Sequence, residues 1–171
     1  MLLNDNVIST LTVLYVEDSK TTRESISILL NNKFKKVLVG KDGYEGLTLS
    51  KNYKDEIDMV ITDVNMPNLS GIEMVRELRK IDINVPVIFT SAYTDSNLLL
   101  GAMELGITDY LVKPFSIPNL FLRIEHIFEE IHYQQLALRQ EKELYQYLEL
   151  LNKVAIVSKT DIKGKILFVN D

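Results

Sequence analysis

Short apolar runs alternate along the chain with stretches in which apolar residues recur every three or four positions. The runs occupy residues 11–16, 36–39, 59–62, 85–90 and 110–112. Valine and isoleucine dominate most of them, and most do not alternate with polar residues. Such runs suit parallel strands covered on both faces. The intervening stretches carry helix starts and stops. Ser19 caps the first, whose apolar stripe includes Ile26, Leu29 and Leu30. Asp42-Gly43 opens the second. Ser70 caps the third, with Ile72, Val75 and Leu78 inward. Asp95 or Ser96 opens the fourth, and Gly106 stands where a terminating glycine belongs. Ser116 caps the fifth, and Pro118 falls in its first turn, where a missing N–H costs little.

Five strand–helix units in a row imply an α/β doubly wound parallel sheet with right-handed crossovers. Five strands suit the flavodoxin-like order 2-1-3-4-5, in which strands one and three are neighbours and ligands bind at their carboxyl ends. The fifth helical pattern runs on far past a domain helix. Ile117, Leu120, Ile124, Ile127, Ile131, Leu138, Tyr145 and Leu148 keep a three-four spacing, broken at Gln134 and Glu141. Leu144 and Leu151 mark a drift of the stripe. At 1.5 Å per residue this helix is roughly 50 Å long and must leave the domain. Its seam, from Leu120 to Leu148, is expected to lack partners inside the domain. A second copy of the helix, in a parallel homodimer, is the expected cover. Two β-type runs about a turn at residues 160–163 then read as a hairpin. A lone hairpin is marginally stable, so the chain reads as a fragment cut inside a further domain. The expected organisation is a domain over 1–130, a coiled-coil linker over 131–152, and a truncated start over 153–171.

Composition narrows the function. The 171 residues are 46% hydrophobic and 25% charged, with net charge −5, no basic cluster and no cysteine. Nucleic-acid binding by this stretch is disfavoured, and thiol chemistry and thiolate metal sites are excluded. Neither a signal peptide nor an apolar run long enough to span a membrane is present in the sequence, so the expected location is cytoplasmic.

The candidate chemistry centres on Asp63, at the end of an aliphatic run and before Met66-Pro67-Asn68-Leu69-Ser70-Gly71. A carboxylate there does not serve packing. The strand order gathers Glu17 and Asp18 after strand one, Asp63 after strand three, Ser91 or Thr90 after strand four and Lys113 after strand five. Three like charges close together need compensation. All the available ligands are hard oxygens, which suits Mg²⁺. A metal held by few carboxylates leaves positions for a phosphoryl oxygen, and Lys113 with a hydroxyl neutralises the others. Asp63 is then a nucleophile that forms an acyl phosphate. The loop after it must turn sharply, shaped by Pro67 and Gly71, and offers a carbonyl to the metal.

The pieces "YVED" (15–18), "ITDVNMPNLSG" (61–71), "VPVIFTSAY" (85–93) and "DYLVKPF" (109–115) occur in this order. Together the chain resembles the receiver domains of two-component response regulators. The resemblance implies that Glu17 and Asp18 bind Mg²⁺, Asp18 directly and Glu17 through water, with the Asn65 carbonyl as a further ligand. Asp63 matches the phosphorylated aspartate and Lys113 the lysine that contacts the phosphate. Ser91, five residues after Pro86, matches the switch hydroxyl, and Tyr110 the aromatic that swings inward. Lys113–Pro114 is often cis in such domains. Glu17 stands where aspartate is commoner, and Ser91 where threonine is commoner. The phosphoryl donor implied is a sensor histidine kinase or a phosphotransfer protein. The activity implied is a switch that catalyses its own phosphorylation and slow dephosphorylation, not a metabolic reaction. The stretch "VAIVSKTDIKGKILFVND" (154–171) resembles the opening of a PAS domain.

Other classes fit less well. A haloacid-dehalogenase-type phosphatase needs a second aspartate two residues after the first, where this chain has Asn65. A flavodoxin-type cofactor binder needs a phosphate-cradling loop where "YVEDSKTT" is acidic. A non-phosphorylated receiver-like scaffold that only dimerises is the alternative.

Overall fold

The computed structural model describes residues 7–92, 105–154 and 158–169. The chain divides into two compact units, Met1–Ile127 and Phe128–Asp171.

In the first unit the aliphatic runs become five parallel strands, β1 (Thr12–Val16), β2 (Lys36–Gly40), β3 (Met59–Asp63), β4 (Val87–Ser91) and β5 (Asp109–Val112), in the order β2-β1-β3-β4-β5. This is the flavodoxin-like winding expected. β1, β3 and β4 are buried along their whole length, which is why neither face shows alternation. Tyr15 pairs with Val39 on one side and Ile61 on the other, so β1 is the central rail of the site. Asp63 lies opposite Thr90, and Ser91 opposite Val112.

The crossovers contain α1 (Lys20–Asn31), α2 (Gly43–Asn52) and α3 (Gly71–Lys80). Each starts at the expected cap. Ser19 Oγ accepts from the Thr22 amide, Asp42 from the Glu45 amide, and Ser70 forms a reciprocal capping box with Glu73. Met74, Val75 and Leu78 are fully buried under the sheet. The first stripe is narrower than expected. Leu30 is buried, whereas Leu29 is 40% exposed. The fourth predicted helix, with Asp95, Ser96 and the leucines at 98–100, lies outside the described residues. Gly106 after it takes φ 64°.

Arg79, in the last turn of α3, fixes two loops. Its Nη1 donates to the carbonyls of Ile83 (2.6 Å) and Val85 (3.2 Å). Its Nε donates to Leu105 and its Nη2 to Gly106.

The long helix spans Ile117–Val154, with Ser116 Oγ accepting from the Asn119 amide at its start. The expectation that its whole seam is uncovered is corrected here. Leu120, Ile124 and Ile127 are buried and belong to the core of the first unit. Each such side chain contributes about 1.5–3 kcal/mol. Along the seam itself, the exposed apolar positions come further on, with Leu138 and Tyr145 each 64% exposed. In the second unit, β6 (Ser158–Thr160) and β7 (Ile166–Val169) form the predicted antiparallel hairpin. Asp161 accepts from the amides of Lys163 and Lys165 in its turn. No helix among the described residues is long and apolar enough to cross a membrane.

Candidate functional site

The strands end along one edge of the sheet, and their last residues form the site. β1 delivers Glu17 and Asp18. Arg23, one turn into α1, holds this corner by donating through Nη1 to the Glu17 carbonyl (2.7 Å) and the Asp18 carbonyl (2.9 Å). β3 delivers Asp63, which is largely buried. Its Oδ1 accepts from the Asn65 amide at 3.1 Å. Lys113 follows β5, with its amide anchored to the Ser91 carbonyl and a cis bond to Pro114, as the resemblance implies.

Carboxylate oxygens of Glu17, Asp18 and Asp63 lie within 4.8 Å of one another. Lys113 Nζ bridges Glu17 Oε2 (2.7 Å) and Asp63 Oδ2 (2.5 Å). One ammonium thus offsets part of three negative charges, and Asp18 stands exposed at the rim. The donor set is all oxygen and carries excess negative charge. It fits a hard divalent cation such as Mg²⁺.

Electrostatics follow from burial. Glu17 is pushed above the usual carboxylate range by burial, with Asp63 adding to the effect and Lys113 opposing it. Burial opposes the charge on Lys113, but hydrogen bonds and attraction from Asp63 and Glu17 outweigh it, and its pKa rises. Burial, then Glu17 and Asp63, also drive the Tyr15 phenol upward, so it stays a hydrogen donor.

The loop after Asp63 folds back on it. The Gly71 amide donates to the Val64 carbonyl. A Cβ on Gly71 would lie 2.1 Å from the Asp63 carbonyl oxygen, so only glycine permits this approach. Pro67 and Gly71 do not make the turn alone. Asn68 takes the left-handed conformation, φ 69°, which asparagine tolerates.

At the end of β4 the two hydroxyls differ. Thr90 Oγ1 donates back to the Thr62 carbonyl at 3.5 Å, whereas Ser91 Oγ accepts from Asn65 Nδ2 at 3.4 Å. Tyr110, on β5, is partly buried against the core. Two residues were not legible as site residues in the sequence. A tyrosine inside an aliphatic strand has a hydroxyl that needs a partner, and this was the signal for Tyr15. An arginine five residues after an acidic pair was the signal for Arg23.

The model of the response regulator receiver domain matches residues 13–125. The chain belongs to the response regulator receiver family. The receiver is 31% identical over 115 residues to the cell cycle transcriptional regulator CtrA of Caulobacter vibrioides, a match spanning 67% of this chain and 49% of CtrA. It is 30% identical over 145 residues to a cyclic di-GMP phosphodiesterase of Thermotoga maritima, spanning 85% of this chain and 38% of that protein. The matches therefore span half or less of these relatives' lengths. Among solved structures, the complex of CheX, CheY, BeF₃ and Mg²⁺ from Borrelia burgdorferi matches with TM-score 0.66 and 26% identity. That match covers 74% of this chain and 96% of the other.

Proposed function

We propose that this receiver is a phosphorylation-dependent switch that takes a phosphoryl group onto Asp63 from a phosphohistidine of a sensor kinase or phosphotransfer protein. One observation carries the reading. Lys113 Nζ bridges Asp63 and Glu17 inside a cluster of three carboxylates. A packing or scaffolding role gives no reason to gather these charges in a partly buried crevice. The CheY similar to this chain is itself complexed with BeF₃ and Mg²⁺.

In the transfer, an Asp63 carboxylate oxygen attacks phosphorus, the phosphorus–nitrogen bond breaks, and the imidazole leaves. Water later cleaves the acyl phosphate, giving inorganic phosphate and free Asp63. Glu17 through water, Asp18, Asp63 and the Asn65 carbonyl would hold Mg²⁺, which when bound offsets the charge of the phosphoryl oxygens. Lys113 turns its ammonium to one of those oxygens. Ser91 turns its hydroxyl to another, leaving Asn65, and vacates space for Tyr110. Their coupling shifts a pre-existing equilibrium between two arrangements.

The test uses acetyl phosphate. The parent with Mg²⁺ should gain the mass of one phosphoryl group. Asp63→Asn should gain none, and chelation should abolish the gain. A parent left unmodified would leave a dimerising scaffold as the better reading.

The switch reports through the long helix. Beyond Ile131 this helix presents Leu138, Tyr145 and Leu148 to solvent, flanked by Leu144 and Leu151. An uncovered stripe of this length favours a second helix, and the same helix of a second copy supplies one. A parallel dimer sets both PAS-like segments at one end, with the weak seam at Gln134 and Glu141 as the point where pairing changes. Light scattering at micromolar concentration should find the full chain dimeric and a version ending at His132 monomeric. Equal dimerisation of both would remove the helix from this role.

A further inference from the structure

Tyr15 is buried in the middle of the sheet, held in register by strands on both sides. Its hydroxyl faces Glu17 Oε2 at 3.4 Å. The same oxygen receives Lys113 Nζ, and that ammonium is shared with Asp63. One oxygen of Glu17 therefore has two donors. Lys113 sits on a flexible stem, whereas Tyr15 is locked into an interior strand with neighbours on both sides.

The difference matters when the site is used. On the receiver reading, which this inference rests on, Lys113 turns toward the phosphoryl group on Asp63. Glu17 then loses its strongest donor. It is 1% exposed, so solvent does not replace that donor. The Ser19 backbone N–H and the Tyr15 hydroxyl are the donors that remain, and a buried carboxylate is costly to leave short of partners. Tyr15 cannot turn away. A glutamate also carries one more side-chain torsion than an aspartate, and that freedom must be lost when the carboxylate fixes a water on the cation. A tie on Oε2 removes it beforehand.

We propose that Tyr15 is a positioning residue for the cation site. Its hydroxyl holds Oε2 of Glu17 whichever way Lys113 points and keeps the carboxylate placed to accept from a water on the cation. The contact, long while Lys113 shares the oxygen, shortens when Lys113 leaves. Tyr15 makes a glutamate workable at position 17.

Calorimetric titration of the full chain with Mg²⁺, without phosphodonor, tests this. Tyr15→Phe removes only the hydroxyl. It should weaken Mg²⁺ binding about five-fold, with the metal-free melting temperature close to that of the parent. In a Glu17→Gln background the same substitution should have no further effect, because Tyr15 acts through that carboxylate. Equal affinity of parent and Tyr15→Phe would overturn the inference, as would an equal loss in the Glu17→Gln background. A check on the parent does not depend on the Phe variant folding. The ring Cζ resonance of Tyr15 should move on Mg²⁺ addition, and an unmoved resonance in a metal-saturated parent would also overturn it. A parent that binds no Mg²⁺ would instead overturn the receiver reading, and this inference with it.

Discussion

Lys113→Ala will destabilise the metal-free protein by about 3 kcal/mol, the cost of leaving partly buried charges without their partner. The Lys113 side chain is 22% exposed, and those of Glu17 and Asp63 are 2% and 11%. Removing the ammonium leaves both carboxylates facing each other and Asp18 with nothing between. Mg²⁺ should recover part of the loss, because a divalent cation compensates the same charges. The variant should therefore bind Mg²⁺ at least as tightly as the parent, while its phosphorylated form fails to switch. The pH dependence has a defined sign. The Lys113 pKa is raised in the folded state, so its contribution is complete below the unfolded value, 10.5, and is lost as pH rises through the folded value. Parent and variant should converge in stability at strongly alkaline pH. Urea unfolding in chelator and in Mg²⁺, across pH, measures the stability changes and the metal's recovery of them. A variant as stable as the parent in chelator would show that Lys113 does not compensate the cluster.

Gly71→Ala should damage the site through the backbone. The added methyl would meet the Asp63 carbonyl oxygen at 2.1 Å, its carbonyl carbon at 3.0 Å and Thr62 Oγ1 at 3.1 Å. None of these is the tip of a flexible side chain. The loop and the end of β3 must part, at about 3 kcal/mol. A displacement of Asp63 by an ångström should slow phosphoryl uptake about 100-fold. Wild-type uptake by a well-folded Gly71→Ala would show that the close approach does not fix the nucleophile.

The strands were legible because burial on both faces leaves runs of aliphatic residues, and little else does so over five residues. Their ends were less so. β4 starts at Val87 and not at 85, because Pro86 has no N–H to donate, although its carbonyl accepts from the Val60 amide. Spacing also overstated how much of α1 is covered, since Leu29 and Leu30 are adjacent in sequence yet only Leu30 turns under the sheet. On the long helix a single periodic stripe covers two circumstances. Leu120, Ile124 and Ile127 complete a core, whereas Leu138 and Tyr145 meet solvent, and periodicity cannot separate these. The carboxylates of the candidate site were legible because charge at the end of a buried strand has no packing use. Tyr15 was not, because an aromatic ring in such a strand reads as core. Its hydroxyl shows a purpose only once Glu17 is placed two residues on, on the same side of β1.

The grip of Arg79 has a consequence for how the receiver breathes. The guanidinium ties the carbonyls of Ile83 and Val85, between α3 and β4, to those of Leu105 and Gly106, before β5. Neither connection can peel away without stripping several hydrogen bonds from one half-buried cation. The two connections therefore form one cooperative opening unit, and local unfolding of either exposes the amides of both to exchange. Fluctuations at the far edges of β4 and β5 are thereby synchronised, at the opposite end of the sheet from Ser91 and Lys113.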